Sequence, residues 1–263
     1  MDRDERWKDV LDLHRAGEGL PARRARDPAK REAAEVRNRT AWARVVWAID
    51  GLHALVLLRD ELLERQHELN RDIQNAGGVH RAPPQLLEEL GLRTTQVREV
   101  LVAFISQGKV LLDLLAKAVA VALGNPGGFQ EKHGFLGVRL DEFARDLGVA
   151  APPEELVQRS RELDRDVADL RDDLIVHPKL SGDYARQYVH ARGGDLEIST
   201  LFPKYEIEAS DTSIAEMEAS HVSIAKLDSA LDSYTRDVVR WVTSVLGAAT
   251  PPGVGDTRSS GSQ

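Results

Sequence analysis

The amino-acid sequence predicts an all-α protein, a bundle of four main helices that are long and antiparallel, with one inserted β-hairpin near residues 184–202. Three observations lead to this fold class. Apolar residues recur at steps of three and four along four long segments, which is the period of an amphipathic helix. Glycine and proline clusters separate those segments. A single short region alternates apolar and polar residues as paired strands do.

The first long helix is expected from about Asn38 to Gln74, where Gly77-Gly78 and Pro83-Pro84 end the helical pattern. A short helix then follows from Gln85 to Leu90, with a break or bend at Gly91. The apolar stripe of the first helix consists of Trp42, Val45, Ile49, Leu52, Leu55, Leu62, Leu69 and Ile73, with Arg59 and Gln66 on the same line.

The second long helix is expected to begin at Thr94 or Thr95, either of which can cap a helix, and to end at Leu123. It is apolar on most sides, so it should be the most buried element. Its inward residues are Val97, Leu101, Phe104, Leu111, Leu115 and Val119. Gly108 lies on the same stripe, and because glycine inside a helix costs about 1 kcal/mol relative to alanine, we expect another helix to approach closely there.

The third long helix is expected from about Glu154 to His177, after a connector over residues 129–152. Its stripe consists of Leu156, Leu163, Val167, Leu170 and Leu174. The last helix is expected to begin near Ser213, which has capping-box spacing to Glu216, and to end at Gly247. Its stripe consists of Ile214, Met217, His221, Ile224, Leu227, Leu231, Tyr234, Val238, Trp241 and Val245.

The hairpin is predicted from two segments, Tyr184 to Ala191 and Asp195 to Phe202, which flank Gly193-Gly194. Two residues of this kind form the turn that hairpins prefer. The expected register pairs Arg192 with Asp195, Ala191 with Leu196, His190 with Glu197, Val189 with Ile198 and Tyr188 with Ser199. One face is then apolar and the other polar, which indicates that the hairpin packs on the bundle.

The expected organisation has three parts. Residues 1–35 form a charged N-terminal arm or short helix, residues 36–247 the bundle, and residues 248–263 a disordered tail. The arm carries five basic residues, which are Arg23, Arg24, Arg26, Lys30 and Arg31. They form either a solvated connector, as charge blocks usually do, or an arm that contacts the phosphates of RNA.

Composition narrows the classes of function. The chain has no cysteine, which removes disulfides, thiolate metal sites and cysteine nucleophiles. A formal net charge of −8 gives no global basic field that would attract nucleic acid. No run approaches the roughly 18 apolar residues needed to span a bilayer, and the N-terminus lacks the apolar core of a signal peptide. A cytoplasmic location is therefore expected.

The residues with the clearest chemistry stand in the segment LRDDLIVHP, at the predicted end of the third helix. Pro178 disfavours helical geometry at His177. A histidine at a helix C-terminus feels the negative end of the helix dipole, which favours its protonated form and places its titration near neutral pH. Such an imidazole can act as general acid or base, and Arg171 can stabilise charge on a phosphorane. This chemistry requires no metal.

The same segment resembles the Arg-x(4–6)-His motif of the HEPN superfamily, helical bundles found in many prokaryotic ribonuclease toxins and defence proteins. A polar residue often follows the arginine of that motif, and Asp172 stands there in this sequence. The segment SQGKVLLDLLA, with Asp113, resembles the buried second helix of related families. The resemblance covers about residues 38–247.

The resemblance implies a metal-independent endoribonuclease with a toxin or phage-defence role, in which Arg171, Asp172 and His177 are the catalytic residues. Two residues six apart on an ideal helix are rotated by about 600° and do not share a face, so either the local helix end or a second copy across a two-fold axis must bring Arg171 and His177 together. The resemblance implies the second of these, a homodimer with paired sites in a shared cleft. RNA is the implied substrate, and a cognate antitoxin or defence-system protein is a candidate partner. No cofactor and no membrane is implied.

A non-catalytic interpretation stays open beside this one. His177 would then cap the helix and Arg171 would bind a neighbouring carboxylate, in a HEPN-like dimer that acts as a partner-binding or regulatory module. The acidic residues of this helix oppose RNA binding, because phosphate contacts need cations. They are Asp164, Asp166, Asp169, Asp172 and Asp173. A nucleotide-binding regulator is a third alternative.

The other histidines and carboxylates predict no metal site. Glu64 and His67 have the Glu-x-x-His spacing of carboxylate-bridged metal bundles, but such bundles need that pair on each of two helices. His53 and His67 do not have the spacing of metal ligands. His221 is expected to be a satisfied core or interface residue on the last apolar stripe.

Overall fold

The structure is a computed structural model that describes residues 7–17, 19–124, 144–145, 148–172, 186–192, 195–203 and 221–248. The described residues are mainly helical, in agreement with the all-α class. The helices are α1 (Lys8–Ala16), α2 (Leu20–Arg24), α3 (Pro28–Asn75), α4 (Pro84–Leu123), α5 (Glu154–Arg171) and α6 (Ile224–Ala248). The strands are β1 (Arg186–Arg192), β2 (Asp195–Pro203) and β3 (His221–Ser223).

The chain divides into two compact units. The first unit comprises Met1–Val46, Leu112–Arg161 and Tyr234–Gln263, and the second comprises Trp47–Leu111 and Glu162–Ser233. Each of the four long helices, α3 to α6, contributes one segment to each unit. Both units therefore have a helical core, and both contain residues of the predicted stripes.

The predicted stripes form the core. All six inward residues predicted for α4 are buried, from Val97 to Val119. On α3 the apolar stripe is buried except at Leu55, which is half-buried. Of the two polar residues that the periodicity placed on the line, Gln66 is buried and Arg59 is half-buried. The described stripe residues of α5 and α6 are buried too, which confirms the helical period as the source of these assignments.

The first unit contains two short N-terminal helices whose apolar side chains are buried. Val10 and Leu13 of α1 and Leu20 of α2 belong to its core. Gly17 ends α1 in the left-handed conformation with φ 63°, and its N–H donates to the carbonyl of Leu13 at 3.2 Å. A glycine adopts this conformation without the steric cost that other residues meet.

Gly19, just before α2, lies against the backbone of Ala122. A Cβ at Gly19 would lie 2.9 Å from the main-chain oxygen of Ala122 and 3.2 Å from its Cα. Backbone atoms cannot move aside as a flexible side chain can. We expect Gly19→Ala to lower the free energy of unfolding by about 1–3 kcal/mol, measured by urea denaturation.

Gly91 provides the matched control for this prediction. It lies inside α4, and a Cβ there would meet no atom within 4 Å. Gly91→Ala should raise the free energy of unfolding by about 0.5–1 kcal/mol, because alanine has the better helix propensity. The close packing of Gly19 against Ala122 would be contradicted if Gly19→Ala lowered the free energy of unfolding by no more than the amount by which Gly91→Ala changes it.

In the second unit, α3 and α4 share polar contacts as well as apolar ones. The amide of Gln66 donates to the hydroxyl of Thr94 at 3.0 Å, and the amide of Gln107 donates to the carbonyl of Ala48 at 3.2 Å. Gly108 is buried, and a Cβ there would lie 3.2 Å from Cδ1 of Leu231 on α6. The close approach expected at Gly108 is confirmed.

Three helix starts and one helix break were predicted wrongly. Asp27 accepts a hydrogen bond from the N–H of Ala29 at 2.9 Å and caps α3, so the helix begins at Pro28, well before Asn38. The predicted break at Gly91 is wrong, because α4 is helical from Pro84 through Leu123.

Thr94 and Thr95 are not helix caps. Their hydroxyls donate to the carbonyls of Leu90 and Gly91, at 2.9 and 3.1 Å, which is the bond to the preceding turn that threonine makes inside a helix. The helix therefore continues past both residues.

The last helix also begins later than predicted. α6 starts at Ile224, and His221 lies in β3, so the expectation that His221 belongs to the helical stripe is wrong. The proposed capping pair, Ser213 and Glu216, lies outside the described residues, as do Ile214, Met217 and residues 173–177 of α5's predicted extension.

The three strands pair antiparallel in the order β1-β2-β3, within the second unit. The register pairs Arg192 with Asp195, Ala191 with Leu196, His190 with Glu197 and Val189 with Ile198. The turn residues Gly193-Gly194 lie outside the described residues. The complete hairpin therefore stays a prediction.

Among the residues that the structure describes, one helix, α3, is long and apolar enough by composition to cross a membrane. An 18-residue window within it has a mean hydropathy of 1.5, and 28% of that window is buried inside the protein. A stretch of this kind was not expected from the sequence. A single such helix is a weak indication, because a core helix passes the same test.

Candidate functional site

Arg171 is the last residue of α5, and Asp172 follows it directly. Nε and Nη2 of Arg171 both donate to Oδ1 of Asp172, at 2.9 and 2.5 Å. Both side chains are half-exposed, at 36% and 46%. The guanidinium is thus held in one orientation at the helix end while part of it faces solvent.

The donors of Arg171 are only partly used by this contact. A guanidinium has five N–H donors in a planar fork, and two of them bind Asp172. No other partner of Arg171 exists among the residues that the structure describes. The side chain can therefore accept an anionic ligand without breaking its bond to Asp172.

The Arg171–Asp172 contact agrees with both interpretations of the motif. An orienting Asp172 is what the catalytic interpretation requires, and an arginine bound to its neighbour is what the non-catalytic one requires. His177 and Asp173 lie outside the described residues. The pairing of Arg171 with His177 accordingly stays a prediction.

The acidic surroundings of α5 are partly neutralised. Nζ of Lys109, on α4, donates to Oδ1 of Asp164 at 2.9 Å, and their side chains are only 12% and 20% exposed. Asp166 lies 3.7 Å from Nε of Arg165. Asp169 stays exposed. The repulsion of RNA by this helix is therefore weaker than its five aspartates suggest, because ion pairing cancels part of their charge.

The basic residues of the N-terminal arm lie in the first unit, on α2, on the beginning of α3 and, for Arg26, in the connector between them. Nη1 of Arg23 donates to the main-chain carbonyl of Leu246, in the last turn of α6. This bond satisfies a carbonyl that the helix end leaves without an intrahelical donor. Arg23 thus has a structural contact that the sequence did not indicate.

The other four cations of the arm are exposed, and they are Arg24, Arg26, Lys30 and Arg31. Arg26 and Arg31 line a cleft of about 210 Å³ together with Pro28, Glu32 and Glu35. Glu35 lies 3.7 Å from the guanidinium of Arg39. A phosphate in this cleft would meet two cations and two carboxylates, so the cleft favours an anion only weakly.

A larger cavity of about 460 Å³ opens beside Arg23 in the same unit. It combines two arginines and two aspartates with apolar side chains. Its lining consists of Asp9, Asp12, Leu13, Ala16, Arg23, Arg240, Thr243, Leu246 and Gly247. This cavity could not be predicted from the sequence, because residues from α1, α2 and α6 come together only in the folded chain.

The described residues contain no group of three or more histidine, aspartate or glutamate side chains arranged to hold a metal ion. Glu64, which is exposed, and His67, which is half-buried, belong to one helix, α3. The carboxylates of α5 bind lysine and arginine where their partners are known.

No protein-family model, curated protein or solved structure matches this chain. These comparisons do not bear on the resemblance of LRDDLIVHP to the HEPN motif. Three observations support a proposal of function. They are the position of Arg171 at the end of α5, its contact with Asp172, and the exposed cations of the arm.

Proposed function

We propose that the protein is a HEPN-type, metal-independent endoribonuclease with a toxin or phage-defence role. The protein is a bundle of four main helices with a β-hairpin near residues 184–202, and it acts in the cytoplasm as a homodimer. Arg171, Asp172 and His177 carry the reaction. The half-exposed guanidinium of Arg171 at the C-terminal end of α5, oriented by Asp172, is the observation that supports this proposal most directly.

The reaction is cleavage of RNA by its own 2′-hydroxyl. His177 removes the proton of the 2′-hydroxyl, and the oxygen attacks the adjacent phosphorus. Arg171 stabilises the additional negative charge of the phosphorane through its forked donors. The bond to the 5′-oxygen breaks, and a protonated imidazole returns a proton to that oxygen. The products are a 2′,3′-cyclic phosphate and a 5′-hydroxyl.

The exposed cations of the arm contact phosphates of the substrate. Four cations of the arm are exposed to solvent, so burial against apolar side chains does not compete with their binding to a phosphate. They are Arg24, Arg26, Lys30 and Arg31. Their contacts are sequence-independent, because phosphate contacts carry no information on the bases. Arg23 contributes less, since its guanidinium binds the carbonyl of Leu246.

A second candidate function is a non-catalytic HEPN-like dimer that binds a partner or regulates one, such as a cognate antitoxin or a defence-system protein. The ion pair between Arg171 and Asp172 favours it, because Asp172 cancels part of the charge that a phosphate would need. The exposed apolar side chains of α3 favour it as well. This candidate predicts no cleavage of RNA.

Incubation of the purified full-length protein with single-stranded RNA in EDTA tests the proposal. We expect fragments with 2′,3′-cyclic phosphate and 5′-hydroxyl ends, and no cleavage of an otherwise identical 2′-deoxy oligonucleotide. Cleavage that depends on added Mg²⁺, or equal cleavage of the deoxy substrate, would exclude the proposed chemistry. Intact RNA under all conditions would favour the non-catalytic dimer.

A further inference from the structure

The solvent-facing side of α3 in the second unit carries a group of large apolar residues. Trp47, Leu57 and Leu58 are 64%, 56% and 43% exposed. Ala54 lies between them along the helix and is exposed as well. We call these four residues the α3 outer face. A single exposed apolar residue needs no explanation, but a contiguous group marks an interaction surface.

The spacing of the α3 outer face is that of a second helix seam. Trp47 and Ala54 are one heptad apart, and Leu57 follows Ala54 by three residues. The opposite side of the helix, with Ala48, Ile49 and Leu52, is buried in the protein. A surface helix with one apolar stripe toward its core is normally polar on the other side. A second apolar stripe on the exposed side, with residues three, four and seven apart, is therefore available to pack against a further helix.

The charges that flank the α3 outer face have opposite signs at its two ends. Arg44 is exposed one turn before Trp47, and Glu61 and Glu64 are exposed one and two turns after Leu57. None of these three has a partner among the described residues. Arg65 does not cancel the two glutamates, because it donates to Glu68 at 2.7 Å and to Glu89 at 3.1 Å. Those hydrogen bonds raise the pKa of its guanidinium.

This distribution of charge selects both the partner and the orientation. A second copy of α3, running antiparallel, places its negative end against the positive end of the first. A parallel copy would place like charges together, which is unfavourable. Trp47 and Leu58 are about 16 Å apart along the helix at about 1.5 Å per residue. A two-fold axis midway between them brings Trp47 of one copy against Leu58 of the other and Arg44 against Glu61.

We propose that the α3 outer face binds a second copy of this chain, as an antiparallel pair of α3 helices with Arg44 opposite Glu61 and Glu64. Ala54 lies near the two-fold axis, where its small side chain permits close approach. The proposal names a surface for the homodimer of the proposed function and rests on that function only in expecting a dimer. Its test measures mass and not RNA cleavage, so the two can fail separately.

A lipid bilayer fits the same surface less well. The buried stripe of α3 belongs to the protein core, so only one side of the helix is open to lipid. Glu61 and Glu64 border the apolar residues, and the chain has a net charge of −8. Anionic lipid surfaces attract basic segments and repel acidic ones. Binding to a bilayer is therefore an outcome of the test and not the inference.

Sedimentation equilibrium of the full-length protein at several concentrations tests the interface. We expect a monomer–dimer equilibrium for the wild-type chain and a monomer at all concentrations for Leu58→Lys. Leu92→Lys is the matched control, because Leu92 is an exposed leucine of α4 in the same unit and should leave the dimer intact. A wild-type monomer, or a dimer that Leu58→Lys leaves unchanged, would overturn the proposal.

Charge reversal tests the orientation. Arg44→Glu should weaken the dimer by about tenfold or more, and the combination with Glu61→Arg and Glu64→Arg should restore it. All three residues are exposed, so the substitutions leave the core unchanged. A combined variant no tighter than Arg44→Glu would refute the antiparallel pairing.

Distances between spin labels give an independent measurement. The chain has no cysteine, so a single introduced cysteine is labelled alone. An antiparallel pair predicts a distance below about 25 Å for His53→Cys and about 60 Å for Asp72→Cys, from about 1.5 Å per residue. Short distances at both positions would indicate a parallel pair and overturn the proposal.

Flotation with vesicles separates self-association from membrane binding. Vesicles of phosphatidylcholine, with and without phosphatidylserine, are mixed with the wild-type protein and with Leu58→Lys. We expect neither protein to float. Flotation of a monomeric wild-type protein that Leu58→Lys abolishes would assign the α3 outer face to the bilayer and overturn the proposed dimer.

Discussion

Replacing His177 with alanine is expected to lower the rate of metal-free RNA cleavage by about 100- to 10,000-fold, the range that a positioned general acid or base contributes. The rate is measured with a labelled single-stranded RNA in EDTA. His80→Ala is the matched control, because His80 is exposed in the turn between α3 and α4 and has no place in the proposed site. That variant should keep the wild-type rate.

Two substitutions of Arg171 distinguish the effect of its positive charge from the effect of its planar donor geometry. Arg171→Ala should lower the rate by about 100- to 1,000-fold, as the removal of one donor to a developing oxyanion does. Arg171→Lys keeps the positive charge but loses the planar fork, so we expect little recovery. Undiminished cleavage by either His177→Ala or Arg171→Ala would reject the assignment of this motif as the active site.

Replacing Trp42 with alanine is expected to lower the free energy of unfolding by about 3–5 kcal/mol, the typical cost of removing a buried tryptophan. Trp42 is fully buried in the first unit. Its removal leaves a cavity in a helical core that relaxes only in part. Urea denaturation followed by circular dichroism measures the change.

Two further substitutions make this prediction specific. Nε1 of Trp42 is buried without a hydrogen-bond partner among the described residues. Trp42→Phe removes that unsatisfied donor and less volume, so its cost should stay well below that of alanine. Trp47→Ala on the same helix should change stability by about 0.5 kcal/mol or less at low protein concentration. Equal losses at Trp42 and Trp47 would contradict the burial of α3 described above.

Much of the fold could be predicted because helical periodicity is a local property of the sequence. The buried residues of α4 were identified from their spacing alone, and so was the close approach at Gly108. Spacing succeeds because residues three and four apart share a face of a helix whatever the rest of the chain does. The same rule identified the buried Gln66 on the stripe of α3.

The helix ends could not be predicted as well, because they depend on competing local bonds. Thr94 was interpreted as a cap, but its hydroxyl donates a hydrogen bond to the carbonyl of Leu90 and accepts one from the amide of Gln66. Asp27 caps α3, which begins at Pro28. This cap was not recognised because both residues lie in the charged segment that was interpreted as an arm. His221 precedes α6 although it continues the apolar spacing of that helix. A periodic pattern extends through a helix end when the flanking segment is apolar too.

The candidate site was predictable in part. The sequence predicted that the helix containing Arg171 continues to His177, whereas Arg171 is the last residue of α5 and the residues from Asp173 to His177 lie outside the described part of the chain. Its orientation by Asp172 could be expected from their adjacency, whereas the pairing of Asp164 with Lys109 could not, because Lys109 belongs to a different helix. The engagement of Arg23 by Leu246 likewise joins residues that are distant in the chain. The unpaired negative charge of α5 and the unpaired positive charge of the arm are therefore both smaller than the sequence indicates.

By itself the sequence determined the all-α class, the long helices and most of their inward residues, because these follow from the spacing of apolar side chains. Only the tertiary structure decided which apolar residues of α3 are covered. Trp42 and Trp47 are both tryptophans of one helix, yet the first is fully buried and the second is 64% exposed. The reason is that burial depends on which other helices pack against a face, and those helices come from distant parts of the chain.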